Sequence, residues 1–170
     1  MSETPRRLLL CYDGSPEAAH AIAEAGRLFG GGRATVVYAW QTAAETAARV
    51  GVLPSYVPPD DYERDRESAR QVAKDGAELA RQAGFDADAQ IVESVAASWA
   101  AILVTADQLD VDLVVVGARG LTGARSFLLG SVSHHVVNLT RRKTLVVPSA
   151  QLVADREVAV PEVDIRLEAA

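Results

Sequence analysis

Gly117, Arg119, Gly120, Gly130 and Ser131 have the types and spacing to hold an anion: two residues separate Gly117 from Gly120, nine separate Gly120 from Gly130, and Ser131 follows. The run opens where an all-apolar stretch, Asp112 to Gly117, ends, and it closes where a helical pattern, Ser131 to Thr140, begins. Glycines at such points let backbone approach a ligand closely and adopt positive φ. The N–H groups and dipole at a helix start then make an anion site without any lysine. That matters in a chain with fifteen Arg and only two Lys, Lys74 and Lys143. Ser131 adds a hydroxyl at the same end, and Arg119 and Arg125 lie in the loop between. The plainer alternative is that Gly117 and Gly120 turn the chain while Gly130 and Ser131 cap a helix. Spacing alone leaves both open.

Asp13 is the second chemical signal, at the end of a buried-strand pattern, Arg7 to Tyr12, and before Gly14-Ser15-Pro16. Ligands of open α/β sheets bind outside the strand ends where the strand order reverses. With order 3-2-1-4-5 that crevice lies between the strands ending at Asp13 and Gly117. A carboxylate there can accept from ribose hydroxyls or adjoin a metal bound to phosphates. Its alternative role is to accept from the N–H groups of the Gly14-Ser15 turn. Other constellations are weaker. No G-x-x-x-x-G-K-[ST] is present, which excludes the P-loop mechanism. Gly30-Gly31-Gly32 follows a helix and is expected to stop it. His134 and His135, adjacent on a helix, point about 100° apart and cannot converge on one ion. Ser131, His134 and Asp13 lack the G-x-S-x-G elbow of a hydrolytic triad. Cys11, inside an apolar strand, is expected to be inert packing.

Strands and helices must position these groups, and they alternate along the chain. Ser15 is placed to cap a helix beginning at Pro16, with Ala19, Ile22, Ala23, Ala25 and Leu28 inward. Ala34 to Trp40 is the second strand, and 41–61, with Pro54, Pro58 and Pro59, reads as a long mobile insertion. Tyr62 to Ala83 is amphipathic, with Ala69, Val72, Ala73, Gly76, Leu79 and Ala80 on its stripe. Asp86 to Val92 alternates, as an edge or half-exposed strand does. Ser98 to Leu109 is the next helix, anchored by Trp99, Ile102 and Leu103, and Thr144 to Val147 is a fifth strand stopped by Pro148. This alternation argues a doubly wound parallel sheet with helices on both faces. Residues 1–150 form one domain, and 151–170 a C-terminal extension in which Val163, Ile165 and Leu167 alternate with Asp164, Arg166 and Glu168. The alternation leaves two readings open, a frayed end or an added strand; as a strand, the extension is expected to dock on a sheet edge of its own protomer or, preferentially, of a partner.

The 170 residues carry a net charge of −6 with pI near 5.1. A nucleic-acid binder would want the opposite balance. A single cysteine excludes an internal disulfide, and the apolar runs are too short to span a bilayer. The apolar stretch after Arg6-Arg7 ends at Asp13, too soon for a signal peptide. The expectation is a soluble cytoplasmic protein with neither nucleic-acid nor membrane partners.

Cys11-Tyr-Asp-Gly-Ser-Pro-Glu-Ala, together with G-x2-G-x9-G-S, resembles the universal stress protein family over Arg7 to Pro148. The resemblance implies a five-stranded sheet of order 3-2-1-4-5, a homodimer, and ATP in the crevice. Carried over, Asp13 and Gly14 would meet the ribose or phosphate side, with Asp13 adjoining magnesium indirectly. Ala39 would approach adenine through its backbone. Gly117, Arg119 and Gly120 would line the phosphate loop, and Gly130, Ser131, Val132 and Ser133 would face the phosphates. Ala39 departs from the larger aliphatic residue expected, and Arg142-Lys143-Thr144 from the usual lead into the last strand. The fifth strand, Thr144 to Val147, is an edge with two apolar faces and is expected to pair with its copy. The implied function is an ATP-binding regulatory module of little or no turnover, acting on an unidentified protein partner. A slow ATPase or nucleotidyl-transfer enzyme, and a dimeric scaffold without nucleotide, are the alternatives.

Overall fold

A computed structural model describes residues 7–42, 46, 59–94, 97–118 and 129–149. In chain order the elements are β1 (Arg7–Cys11), α1 (Pro16–Phe29), β2 (Gly32–Trp40), α2 (Pro59–Gln82), β3 (Phe85–Glu93), α3 (Ser98–Gln108), β4 (Leu113–Gly117), α4 (Ser131–Leu139) and β5 (Lys143–Val147). The five strands form one parallel sheet of order β3-β2-β1-β4-β5, as expected. Period-two alternation sends Leu8 and Leu10 of β1 to one face and Leu9 to the other. The first face packs under α1 and α2, through Ala21, Ile22, Ala25, Ala77 and Ala80. The second packs under α3 and α4, through Ile102, Ala106 and Val136. Both faces of the central strands are dry, which is why β1 and β4 are nearly all apolar.

α1 begins as its sequence dictates. Ser15 Oγ accepts from Ala18 N at 3.1 Å, and Pro16 occupies the first turn. Losing such a cap costs about 1 kcal/mol. At the other end Gly30 takes φ +67 and its N–H donates to Gly26 O, so the triple glycine is a helix stop. The buried stripe of α1 is Ala18, Ala21, Ile22, Ala25 and Gly26, while Ala23 is exposed and Leu28 is 54% exposed. The expected stripe was therefore rotated. Alanine suits either face, and Gly26 decides the matter: a Cβ there would collide with the carbonyl of Ala83, the residue just after the next helix (Pro59–Gln82), so backbone touches backbone there.

α2 starts at Pro59, three residues before the periodicity begins at Tyr62. Proline is tolerated in a first helical turn because its missing N–H has no partner there. Asp60 and Asp61 follow in the same turn, where the helix dipole favours negative charge. Of the expected insertion, 43–45 and 47–58 lie outside the described residues, while Thr46 N donates to Thr42 O at 3.0 Å. The extension 151–170 lies outside them too.

At the end of the sheet opposite the strand carboxyl ends, ionic contacts hold β1, the α3–β4 turn and β5 together. Arg142 reaches Asp107 Oδ1 at 3.0 Å and Asp110 Oδ1 at 2.7 Å, and Arg7 reaches Asp110 Oδ2 at 3.0 Å. Arg142 hydrogen bonding is the largest cause that lowers the Asp110 carboxyl below its usual range. The unusual Arg142 before β5 thus ties that strand to the preceding turn.

Candidate functional site

The carboxyl ends of β1, β2 and β4 and the first turns of α3 and α4 enclose a cleft of about 500 Å³. It lies where the strand order reverses, between β1 and β4. Its size falls in the range of small-molecule sites. Of the residues singled out from the sequence, Asp13, Ala39, Gly117, Gly130, Ser131, Val132 and Ser133 line it. Residues more than 100 positions apart therefore meet at one place. Arg119 and Gly120 lie outside the described residues. Gly14 is exposed and does not line the cleft; its φ of +83 makes the turn that brings Asp13 there.

Asp13 fills the turn role considered for it and stands in the cleft wall. Its Oδ1 accepts from Ser15 N at 3.0 Å, bracing the turn. Tyr12 N donates to Val37 O at 3.0 Å, extending the β1–β2 ladder to the cleft edge. α4 is capped by Gly130 with extended backbone and no side-chain hydrogen bond. The first N–H groups of a helix have no intrahelical partner, so this end offers donors and a positive dipole. The loop is stitched down behind them. Gly130 N donates to Ala118 O at 2.8 Å, and Ala118 N donates to Val147 O at 2.7 Å. Ser133 Oγ is 2.9 Å from Ala118 O and 3.0 Å from Gly130 O. The Ser133 hydroxyl thus holds the helix start against β4, leaving its backbone N–H as the group directed by the helix axis.

Among the described lining residues there is no lysine or arginine. Negative charge in this part of the cleft meets the α4 terminus instead. Burial pushes the Cys11 thiol up to about 12, with the charge of Asp13 adding to it. The thiol is therefore neutral at physiological pH, and the expectation of inert packing agrees with that. Burial, then Asp13, also raises Tyr38. The two adjacent histidine rings meet edge to face, centroids 5.5 Å apart with planes at 84°; His134 is exposed, and His135 stacks on Trp99 of α3 with ring centroids 4.8 Å apart and planes at 9°. His135 Nδ1 lies 2.6 Å from Ser131 O, and a carbonyl only accepts, so Nδ1 carries the hydrogen.

Tyr38, Gln41, Thr46 and Ser98 also line the cleft and were missed in the sequence. The signal for two of them was available. β2 neighbours β1 in the 3-2-1-4-5 order, so the residues around its carboxyl end, Tyr38 to Gln41, must border the crevice. Gln41 Nε2 donates to Ser94 O at 2.8 Å, which fixes that wall.

The chain matches the family model described as the universal stress protein family over residues 4–148. A universal stress protein of Bacillus subtilis, YxiE, is 28% identical over 148 residues, covering 83% of this chain and 97% of the relative. Among solved structures, a universal stress protein in complex with cAMP superposes with TM-score 0.59 at 24% identity, covering 84% of this chain and 97% of that one. The universal stress protein of Archaeoglobus fulgidus in complex with dAMP gives TM-score 0.55 at 17% identity, covering 85% and 98%.

Proposed function

From the premise that the chain belongs to the universal stress protein family, we propose that the cleft binds ATP with magnesium and that its occupancy regulates a protein partner, with little or no turnover. The observation that carries this reading is the meeting of Asp13, Gly117 and the start of α4 in one cleft at the strand-order reversal. Relatives of this fold with cAMP and dAMP bound favour an adenine nucleotide. In this assignment the N–H groups of Ser131, Val132 and Ser133 hold phosphate oxygens, with Ser131 Oγ beside them. Gly117 and Gly130 leave room for that approach, and the family resemblance assigns Arg119 and Gly120 to the same phosphate loop. Asp13 would face the ribose and adjoin, indirectly, magnesium carried by the phosphates; Gly14 makes its turn. The Ala39 backbone borders the base. The bound magnesium would neutralise phosphate charge.

Low turnover is favoured by the chemistry of the wall. Fast phosphoryl transfer needs a positioned base and a cationic clamp. Among the described lining residues no lysine or arginine supplies that clamp. We place the protein in the cytoplasm, as its single cysteine favours. Among the described residues no helix is long and apolar enough to cross a membrane. A second copy would pair along β5, whose Thr144, Leu145 and Val146 are half-buried in a single protomer.

Nucleotide at ~100 times its dissociation constant should stabilise the fold by about 2.7 kcal/mol, raising Tm by roughly 5–10 °C for a chain of this size. Gly130→Val should abolish the rise, its side chain occupying the phosphate space, with the circular dichroism of the apo protein retained. Native mass spectrometry should find adenine nucleotide carried through purification. An unchanged Tm in millimolar ATP with magnesium, and no co-purified nucleotide, would overturn the assignment.

A further inference from the structure

The sheet has a second concavity that the nucleotide reading does not use. β3 pairs with β2 and, among the described residues, with no other strand. Exposed edges are normally blunted by charge. The first half of β3 carries exposed Asp86 and Asp88, but Ala89 to Val92 carries no charge. Along that half and past the exposed Glu93 runs a groove of about 590 Å³, bounded by Gln90 to Ser94 and, on the α3 side, by the apolar Ala97, Ala101 and Val104 with Thr105 and Gln108. Val104 is 56% exposed, the most open large hydrophobic among the described residues. At the head of the groove Ser94 is buried, and its Oγ has no hydrogen-bond partner among the described residues. Its backbone is committed: Ser94 N donates to Trp40 O, and Ser94 O accepts from Gln41 Nε2, each at 2.8 Å. Only the hydroxyl is left over. Buried polar groups in folded proteins are normally paired.

We infer that this groove seats the chain's own C-terminal segment, residues 163–168, as a sixth strand antiparallel to β3. The segment alternates Val163, Ile165 and Leu167 with Asp164, Arg166 and Glu168, so one face is apolar and the other charged. Val163 to Leu167 spans four residue steps, about 13 Å, and so does Gln90 to Ser94. The apolar face covers the Ala97–Ala101–Val104 stripe, and strand backbone supplies the partners that the β3 edge and the Ser94 hydroxyl lack. The path is short enough. Ser149 follows β5, and in a parallel sheet its carboxyl end lies on the same side as Ser94. The sixth position is five strand spacings away, about 24 Å. Residues 150–162 reach about 43 Å when extended. A chain descending from the Ser94 end necessarily runs antiparallel to β3.

Hydrogen exchange on the full chain at micromolar concentration tests this. Amides of 163–167 and the outward amides of 89–93 should exchange at least 100-fold more slowly than unstructured peptide. Ile165→Asp with Leu167→Asp should make both sets fast while β1 and β4 amides keep their protection. Val104→Asp, from the groove side, should release the same two segments. A Val104→Cys, Ile165→Cys pair should oxidise to a crosslink within one chain. Rapid exchange of 163–167 in the unmodified chain would overturn the inference. So would protection of the segment with β3 exchange indifferent to its substitution, or a crosslink found only between chains, which would make the occupant a second copy. None of these readouts uses nucleotide, so failure here leaves the cleft assignment standing, and the converse holds.

Discussion

Gly76→Ala sets two opposing effects against each other at a position that bears on the cleft. Gly76 lies within α2, where helix propensity alone favours alanine by about 1 kcal/mol. A Cβ there would stand 2.5 Å from Tyr12 Cδ1, and 2.8 Å from both Tyr12 Cγ and Val36 Cγ1. Real Cβ atoms do not approach so closely, so something must move. Val36 is fully buried. The Tyr12 atoms in question are at the root of its ring, which a small side-chain rotation does not clear. Overpacking of this kind costs about 1–3 kcal/mol, so the expected balance is a net loss of up to about 2 kcal/mol, or a Tm lower by up to about 8 °C. The displacement also reaches function. Tyr12 is joined to β2 through Val37 O and is followed by Asp13, so pushing its ring outward shifts the cleft wall. Urea unfolding followed by circular dichroism reads the stability, and calorimetric titration with ATP reads the affinity, which should fall several-fold. A variant more stable than the parent by the propensity gain, with unchanged affinity, would refute the argument that Gly76 is required by close packing.

Two other expectations follow from the two ends of the sheet. Asp110→Asn keeps a residue that tolerates the positive φ of 49 at this position but removes the carboxylate paired with Arg142 and Arg7. Because the folded carboxyl titrates below its unfolded value, its stabilisation is complete above about pH 4 and is lost as pH falls through the lowered value. The stability difference between parent and variant should therefore be constant near neutrality, vanish at the acid end, and shrink with salt in pH-series denaturation. At the other edge, light scattering at micromolar concentration should give twice the 18.0 kDa chain mass, and a lysine at Thr144 should shift the population to monomer. A parent protein that is already monomeric would refute pairing through β5.

How much of this was legible in the sequence depended on whether a feature leaves a local pattern. Buried parallel strands are apolar on both faces, so β1 and β4 stand out as unbroken runs. The Ser15-Pro16 start and Gly30 stop of α1 use backbone chemistry that few residues satisfy. Glycine spacing located the cleft because the topology forces the β4 end and the α4 start together. The face of α1 was not legible: alanines carry too little contrast, and the choice rests on Gly26 touching the Ala83 carbonyl just after another helix. The start of α2 was missed because proline reads as a breaker unless its place in the first turn is known. The wall formed by Gln41 was missed for a different reason. Its bond to Ser94 joins residues 53 positions apart, and no periodicity records a side-chain match across that distance. The same bond shows why the two concavities differ chemically. It separates the cleft, where a helix terminus and Asp13 supply polarity, from the groove, where Ile91, Val92, Ala97, Ala101 and Val104 lie among Gln90, Glu93, Thr105, Gln108 and the Ser94 hydroxyl. That difference is why we propose a charged small molecule for the cleft and, for the groove, a strand that brings its own hydrogen-bonding backbone.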